Sequence, residues 1–207
     1  MKVYNYYLLI FIIGSFLGFV LESFWCFLIN HHLESRKGLI YSPLIPIYGI
    51  AALLISLIIN LFDITNYYQI FIFGLLISLI VEYLSSVFQE KIFHTKSWDY
   101  SHMSFNIKGR VNLKYTLMFG IVSLIYSKYF LPKYNLLFKS IKLSILNPFC
   151  LIFTLFLMFD IIISCLACYR MKERKQKIKR PNCFWKYIDN KYNDKYLSKI
   201  YPNMKSI

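Results

Sequence analysis

KIFHTKSWDYSHMSFNIKGRVNLK, residues 91–114, is the longest polar and turn-rich interruption between the strongly apolar segments of this chain. It concentrates hydrogen-bonding and charged side chains where a plain connector needs only a few polar residues. Apolar runs long enough to cross a bilayer lie on both sides of it. The stretch therefore predicts a membrane protein with one elaborate loop at one face of the bilayer.

The composition of the flanking segments places them in the bilayer. Of the 207 residues, 57% are hydrophobic, and the mean hydropathy of +0.48 lies well above that of a soluble domain. About 20 apolar residues span about 30 Å of hydrocarbon. Five runs have that length, at roughly 6–29, 44–62, 67–88, 113–131 and 148–169. We predict an all-α integral membrane protein with about five transmembrane helices.

The basic residues are distributed unevenly between the two sides of these runs. Of the 24 lysines and arginines, 19 lie in the connector after the first run, in the 91–114 loop or after Tyr169. The positive-inside rule then places both polar loops and the C-terminus in the cytoplasm and the N-terminus outside. The first run is too long for the core of a signal peptide, so we expect a retained helix. The chain is predicted to be a multi-pass cell-membrane protein, with a membrane domain at 1–169 and a basic cytoplasmic tail at 170–207.

Two of the runs repeat one arrangement of small and acidic residues. In the first run Gly14, Gly18 and Glu22 follow one another at intervals of four residues. In the third run Gly74, Ser78 and Glu82 have the same spacing. Residues four apart share one face of a helix, and small residues on that face let two helices approach closely. The repeat indicates a duplicated unit of two helices, with both carboxylates at a similar depth.

Three acids, Glu22, Glu82 and Asp160, lie within the inner halves of apolar runs. An intramembrane charge is costly, so such side chains face the interior of the bundle. We expect them to line a polar cavity that opens to the cytoplasm. The alternative is that the acids only pin helices together.

The two inner loops supply further candidate residues, namely Arg36, Trp98, Asp99, Asn106 and Arg110. Their donors and acceptor, at one membrane face, could hold an anionic group or a partner helix. A structural interpretation, in which they shape a turn and place an aromatic ring at headgroup level, explains them as well. The histidines of this loop lack the spacing of a metal site. Cys165 and Cys168 match C-x-x-C but lie near the end of a membrane helix without a second pair or nearby histidines, so we interpret them as packing residues and predict no metal and no cofactor.

The tail carries a second pattern. Among its lysines, apolar side chains recur every four residues at Phe184, Ile188, Tyr192, Tyr196 and Ile200. This pattern predicts an amphipathic helix that lies on an anionic leaflet. No recognition motif accompanies the basic residues, so nucleic acid is not predicted as a partner.

The apolar runs and the two polar loops, without the tail, resemble the bacterial ABC-transporter type IV family of the CmpB type. The resemblance covers roughly residues 12–169 and rests on Gly18 to Glu22, Arg36-x-Gly38-Leu39, Pro43, Pro46-Ile47-Tyr48-Gly49, Glu82-Tyr83, Phe93, Trp98-Asp99-Tyr100-Ser101, Asn106, Gly109-Arg110, Gly120 and Asp160. The chain departs from the family pattern at Ser42, Asn112 and Phe119, where glycine, cysteine and tryptophan are common. The resemblance implies a permease-like integral membrane subunit and supplies no catalytic mechanism.

Three functions are compatible with these features. The first is a transporter permease subunit; because the chain lacks the G-x-x-x-x-G-K-[ST] motif, ATP-driven transport would require a separate nucleotide-binding subunit. The second is a membrane scaffold or assembly protein that uses the same loops for docking, as a monomer or an oligomer. The third is an enzyme acting on lipid or peptide, which the absence of Ser-His, Cys-His and H-E-x-x-H constellations disfavours.

Overall fold

The computed structural model describes all 207 residues and is mostly helical, as predicted. The long helices and their bounds are α1 Lys2–Asn30, α2 Pro46–Phe62, α3 Tyr67–Phe88, α4 Leu113–Ile125, α5 Leu131–Ser140 and α6 Leu143–Lys175. One π-helical turn, Gln89–Phe93, extends α3, and another, Tyr126–Phe130, joins α4 to α5. The tail forms the short helices α7 Cys183–Lys191 and α8 Asp194–Ile200.

Three helices are long and apolar enough to span a membrane: α1, α3 with its π turn, and α6. The apolar helix α2 has only 17 residues, because the chain before Pro46 is extended and the proline occupies the first helical turn. The fourth predicted run is divided between α4 and α5 by the π turn. The membrane character is therefore supported, and the count of five spans stays a prediction.

Helices α1 and α2 form a hairpin held by close contact of small residues. A Cβ atom added at Gly14 would lie 2.6 Å from the Cβ of Ala52, and one added at Gly49 would lie 2.1 Å from the Ser15 hydroxyl oxygen. A Cβ at Gly18 would lie 2.3 Å from the ring of Tyr48. Only glycine admits this approach, so the predicted contact face of α1 is the face that packs on α2.

Helices α3 and α4 form a second hairpin with equivalent contacts. A Cβ added at Gly74 would lie 2.2 Å from the Ser123 hydroxyl oxygen, and one at Gly120 would lie 2.6 Å from the ring of Phe71. In the first hairpin, a Cβ atom added at Gly49 would likewise lie 2.8 Å from the ring of Phe11.

Equivalent residues of the two hairpins have constant offsets in the sequence. The pairs Phe11 and Phe71, Gly14 and Gly74, and Glu22 and Glu82 are each 60 residues apart, and the pairs Tyr48 and Phe119, and Gly49 and Gly120, are each 71 apart. These shared contacts support the duplicated two-helix unit that the spacing of α1 and α3 indicates.

Both polar loops and the tail lie at one end of the bundle. The hydroxyl of Ser35, in the first loop, donates to the carbonyl oxygen of Ile200 at 2.7 Å. In the second loop, β1 (Thr95–Lys96) pairs antiparallel with β4 (Lys205–Ser206) near the C-terminus. At the opposite end, the start of α1 contacts α5, where the Tyr134 hydroxyl donates to the carbonyl oxygen of Tyr6 at 2.7 Å.

The second loop contains a small hairpin that the all-α prediction lacks. Strand β2 (Asn106–Ile107) pairs antiparallel with β3 (Val111–Asn112), and both Lys108 and Gly109 in the turn between them have positive φ. Consecutive positive φ angles are typical of tight hairpin turns, where glycine is favoured. The strands have two residues each, too few to show an alternating pattern in the sequence.

The glycine contacts predict unequal costs for two alanine substitutions. Gly49→Ala places a methyl group 2.6 Å from the backbone carbonyl oxygen of Phe11, whereas Gly120→Ala meets only the side chain of Phe71, which can turn away. We expect Gly49→Ala to destabilise the protein by about 1–3 kcal/mol and Gly120→Ala by less. Thermal unfolding in detergent measures both, with Ile50→Val on the exposed side of α2 as the control. An equal or larger loss for Gly120→Ala would contradict this packing.

Candidate functional site

Glu22 lies at the end of the glycine face of α1 that is nearest the loops. The hydroxyl of Tyr48, one residue before Gly49 on α2, donates to a carboxylate oxygen of Glu22 at 2.6 Å. The two residues meet because Gly18, one turn before Glu22, leaves room for the Tyr48 ring. The hairpin packing thus fixes a carboxylate and a phenol beside each other.

Glu82 occupies the equivalent position on α3 and lies within electrostatic range of Glu22. Tyr100, from the second loop, lies beside it: burial raises the pKa of the Tyr100 phenol, and the Glu82 carboxylate raises that pKa further. The Tyr100 ring also stacks on Tyr115 with 5.1 Å between centroids. The Oε2 atom of Glu82 is buried and has no hydrogen-bond partner. An unpartnered buried acceptor is costly, so this oxygen is a candidate to accept a hydrogen bond from a ligand.

The rings of Tyr48 and Phe119 connect the two hairpins directly above the two glutamates. Their centroids are 5.6 Å apart, a distance typical of a packed aromatic pair. Since the two residues hold equivalent positions in the repeat, the contact lies on the approximate symmetry axis of the hairpins. Both residues also line a cavity on the side away from the loops. We refer to the Tyr48–Phe119 pair as the aromatic floor.

The cavity above the aromatic floor has a volume of about 620 Å³ and is mainly apolar. Its walls are small and aliphatic residues of the four hairpin helices, including Gly14, Ala51, Ile55, Gly74, Ile77 and Val122. None of the eight predicted site residues lines it. The polar chamber open to the cytoplasm therefore stays a prediction, and the large cavity that the structure shows is a different one.

Asp160 has its own set of partners at the first polar loop. Its carboxylate accepts hydrogen bonds from the amide of Tyr41 at 3.0 Å, the amide of Ser42 at 2.7 Å and the hydroxyl of Ser42 at 2.6 Å. One turn later on α6, the hydroxyl oxygen of Ser164 accepts from the amide of Ile40 at 2.9 Å. These bonds satisfy the backbone of a buried loop, so Asp160 anchors that loop and does not join Glu22 and Glu82.

Three of the predicted residues of the second loop hold that loop together. Asn106 donates to the carbonyl of Met103 and accepts from the amide of Gly109, both at 2.7 Å. Asp99 accepts from the amide of Ser101 at 2.9 Å, and the indole of Trp98 donates to the carbonyl of Arg110 at 2.9 Å. These bonds support the structural interpretation of all three residues and place Tyr100 beneath Glu82.

The two predicted arginines lie beside acids of the loop end of the bundle, Glu90 and Glu34, and not beside Glu22 or Glu82. Arg110 forms an ion pair with Glu90 in the π turn after α3 and a 3.3 Å hydrogen bond to the Tyr83 hydroxyl. Arg36 lies 3.7 Å from Glu34, and its buried Nε has no partner. Neither guanidinium therefore neutralises Glu22 or Glu82.

The tail differs from its prediction as a single helix on lipid. Helix α7 ends at Lys191 and α8 begins at Asp194, so the tail has two short helices. Their side chains Ile188, Tyr192 and Leu197 are buried against α6 and the first loop. Periodicity alone does not distinguish an apolar face that meets lipid from one that meets protein. The predicted contact of the remaining basic side chains with anionic lipid stays a prediction.

Ion pairs reinforce this docking of the tail. Arg170, which is 2% exposed, bonds Asp189 at 2.6 Å, and Arg174 bonds the same carboxylate at 2.7 Å. Arg170 and then Arg174 hold the pKa of Asp189 below its usual range. A carboxylate with a lowered pKa stabilises the docked state above its unfolded pKa, and that stability is lost as the pH falls through the folded value.

Sequence reasoning missed Tyr48, Tyr100 and Phe119 as site residues. Tyr48 and Tyr100 are part of the motifs that carry the family resemblance, and Phe119 is a position where the family pattern differs. Their chemistry gave no reason to single them out, because tyrosine and phenylalanine make up 37 residues of this chain. The available signal was Tyr48 beside Gly49 and Phe119 beside Gly120.

Comparison with known proteins adds one finding. The model of the family described as "Putative ABC-transporter type IV" matches residues 9–165, about three quarters of the chain. No curated protein and no solved structure matches. The matched region includes Glu22, Tyr48, Glu82, Tyr100 and Asp160 and excludes the docked tail.

The anchoring bonds of Asp160 predict a graded loss of stability. Asp160→Asn removes one acceptor oxygen that faces buried donors, at a cost of about 1–3 kcal/mol. Ser164→Ala removes a single acceptor for the Ile40 amide and is expected to cost about 1 kcal/mol. Thermal unfolding, together with protease cleavage at Arg36 and Lys37, measures both effects. Wild-type behaviour of Asp160→Asn would show that the loop is held by other contacts.

The tail ion pairs predict a contrast between two aspartates. Asp189→Asn leaves the buried Arg170 with Glu173 as its acidic partner, and we expect faster trypsin cleavage between residues 175 and 207. The matched control is Asp194→Asn, which weakens a pair whose acid is 51% exposed and should change cleavage little. As the pH falls from about 4, the ordinary aspartate value, through the lowered pKa of Asp189, the wild-type tail should also be released, which cleavage by pepsin, a protease active at that pH, would detect. Equal cleavage rates for the two variants would contradict the docking.

Proposed function

This chain belongs to the ABC-transporter type IV family, and from that membership we propose that it is the membrane permease subunit of a transporter. Its path runs along the seam between the α1–α2 and α3–α4 hairpins. Glu22 and Glu82 line the end of this path near the loops, and the aromatic floor separates them from the apolar cavity. The proposal includes a cytoplasmic location for the loops and the tail, with the N-terminus outside.

The observation that supports this proposal most is the position of two carboxylates at the interface of a structural repeat. Transporters built from repeats commonly bind their cargo where the repeats meet, and the repeats move against each other about that site. Each glutamate lies beside a tyrosine, Glu22 beside Tyr48 and Glu82 beside Tyr100, and Glu82 in addition has a buried oxygen without a partner. An acid that keeps an open bonding position can bind a donor that arrives from the path.

The predicted loop residues have a supporting role in this proposal. Trp98, Asp99 and Asn106 fold the loop that brings Tyr100 to Glu82, and Arg110 fixes that loop to the end of α3 through Glu90. Asp160 holds the first loop against α6. Arg36 lies 3.7 Å from Glu34 in the first loop and keeps a buried Nε without a partner, so its part in the proposed path is to shape that loop.

A nucleotide-binding subunit would dock on the end of the bundle that carries the loops. That end combines the first loop, the second loop and the tail in one hydrogen-bonded surface. The chain itself lacks a phosphate-binding loop, so a separate ATPase is required for active transport. The docked tail is part of the surface that such a partner meets.

The test is a neutral substitution at the open carboxylate. We expect the protein, isolated from its native membranes and placed in lipid nanodiscs, to carry a bound ATPase. Glu82→Gln should lower the rate of ATP hydrolysis by about tenfold, which corresponds to about 1.4 kcal/mol. The amide retains the shape of the side chain but loses its charge. Equal yield and thermal stability of the variant would show that it is inserted and folded.

Asp63→Asn is the matched control, because it removes one carboxylate in an exposed turn at the other end of the bundle. It should leave hydrolysis unchanged. An isolated complex without ATPase activity, or wild-type hydrolysis by a folded Glu82→Gln variant, would reject the permease proposal. A bound partner whose activity ignores Glu82 would instead favour the scaffold.

A further inference from the structure

The cavity above the aromatic floor opens sideways between α1 and α4. In the bundle, α1 packs on α2, α2 on α3 and α3 on α4, whereas α1 and α4 make almost no contact with each other. The edges of this opening carry exposed apolar side chains, Leu17 and Leu21 on α1 and Val122 and Ile125 on α4. These side chains are apolar and belong to the membrane region predicted from the sequence, so we expect the opening to face lipid hydrocarbon.

The end of the cavity away from the loops is closed by α5. The π turn at Tyr126–Phe130 precedes α5, which packs on the start of α1 through Tyr134 and Phe138. Tyr126, Tyr129, Phe130 and Tyr134 therefore surround this end of the cavity. Aromatic side chains with polar edges are typical of the level at which lipid headgroups begin.

The only charged residue in the lining is Lys133, at this aromatic end. Its ammonium group forms no ion pair, and neighbouring Lys128 lies over the rings of Tyr67 and Tyr129. Five basic side chains belong to this end of the bundle, namely Lys2, Lys128, Lys133, Lys139 and Lys142, against the single acid Asp63. An unpaired cation beside a lipid-facing apolar cleft is complementary to an anionic headgroup with a hydrocarbon chain.

The dimensions of the cavity suit one lipid chain. From Phe119 to Phe130, along α4 and the π turn, the helical rise corresponds to about 15 Å, about half of a hydrocarbon core of about 30 Å. A chain that starts at the headgroup level beside α5 can therefore extend to the aromatic floor. The volume of about 620 Å³ is within the range of sites that enclose a ligand of that size.

We propose that this cleft binds one acyl chain of an anionic membrane phospholipid, with the phosphate at Lys133 and the end of the chain at Tyr48 and Phe119. The lipid enters sideways between α1 and α4 from the leaflet on the α5 side. The site is distinct from the glutamate pair, and its occupancy does not depend on transport or on an ATPase.

Native mass spectrometry of the full chain in detergent tests this proposal, with phosphatidylglycerol and phosphatidylcholine offered at equal concentration. We expect the wild-type protein to retain one phosphatidylglycerol with about tenfold preference over phosphatidylcholine, about 1.4 kcal/mol. Lys133→Gln should abolish the preference. Lys139→Gln removes an equal charge from the same helix outside the lining and should keep it.

A second pair of variants tests the position of the chain. Val122→Trp places an indole in the cleft and should prevent retention of lipid, whereas Ile121→Trp, at a neighbouring position outside the lining, should not. Thermal unfolding of the two tryptophan variants shows whether each is folded. If Val122→Trp does not fold, the comparison of Lys133→Gln with Lys139→Gln alone tests the lipid site. Absence of a preference in the wild-type protein, its equal loss in both lysine variants, or retained lipid in folded Val122→Trp would overturn the proposal.

Discussion

The close approach of glycine-containing helices determines the architecture of this bundle. At Gly14 and Gly49, and again at Gly74 and Gly120, the paired helices lie so near that an added methyl group would collide with an atom of the neighbouring helix. In lipid there is no hydrophobic force between apolar helices, so van der Waals contact at such positions drives their association. Each glycine pair makes a tight hairpin, and the space between the two hairpins is left to side chains. The cleft and the aromatic floor are consequences of this unequal packing.

The acids of the membrane region illustrate two ways to meet the cost of burial. Asp160 is fully satisfied, because two amides and a hydroxyl of the first loop donate to it. Glu22 accepts a hydrogen bond from the Tyr48 phenol, and Glu82, beside the Tyr100 phenol, keeps one buried oxygen without a partner. A satisfied carboxylate fixes structure, whereas an unsatisfied one retains free energy that a ligand can recover. This difference, and not the depth of the acids, distinguishes an anchor from a candidate binding group.

Local spacing predicted the parts of the fold that depend on one helix. The four-residue repeat of Gly14, Gly18 and Glu22 indicated the packed face of α1, because residues one turn apart must share a face. The bond from Ser42 to Asp160 joins residues 118 positions apart, and no local pattern contains it. The tail shows a different limit: a four-residue apolar period is the same whether the face meets lipid or protein. The sequence could therefore identify Glu22 and Glu82 as a pair but not separate Asp160 from them.

The tail also constrains how the two hairpins can move. It contacts the first loop where the Tyr192 and Tyr41 hydroxyls lie 2.5 Å apart, and it contacts the second loop through pairing of β4 with β1. The first loop joins α1 to α2, and the second joins α3 to α4, so the tail bridges the two hairpins at the end nearest the glutamates. Any rocking of one hairpin against the other must therefore break one of these contacts or carry the tail with it. Motion at the seam and docking of the tail are thus mechanically coupled, because both depend on the same two loops.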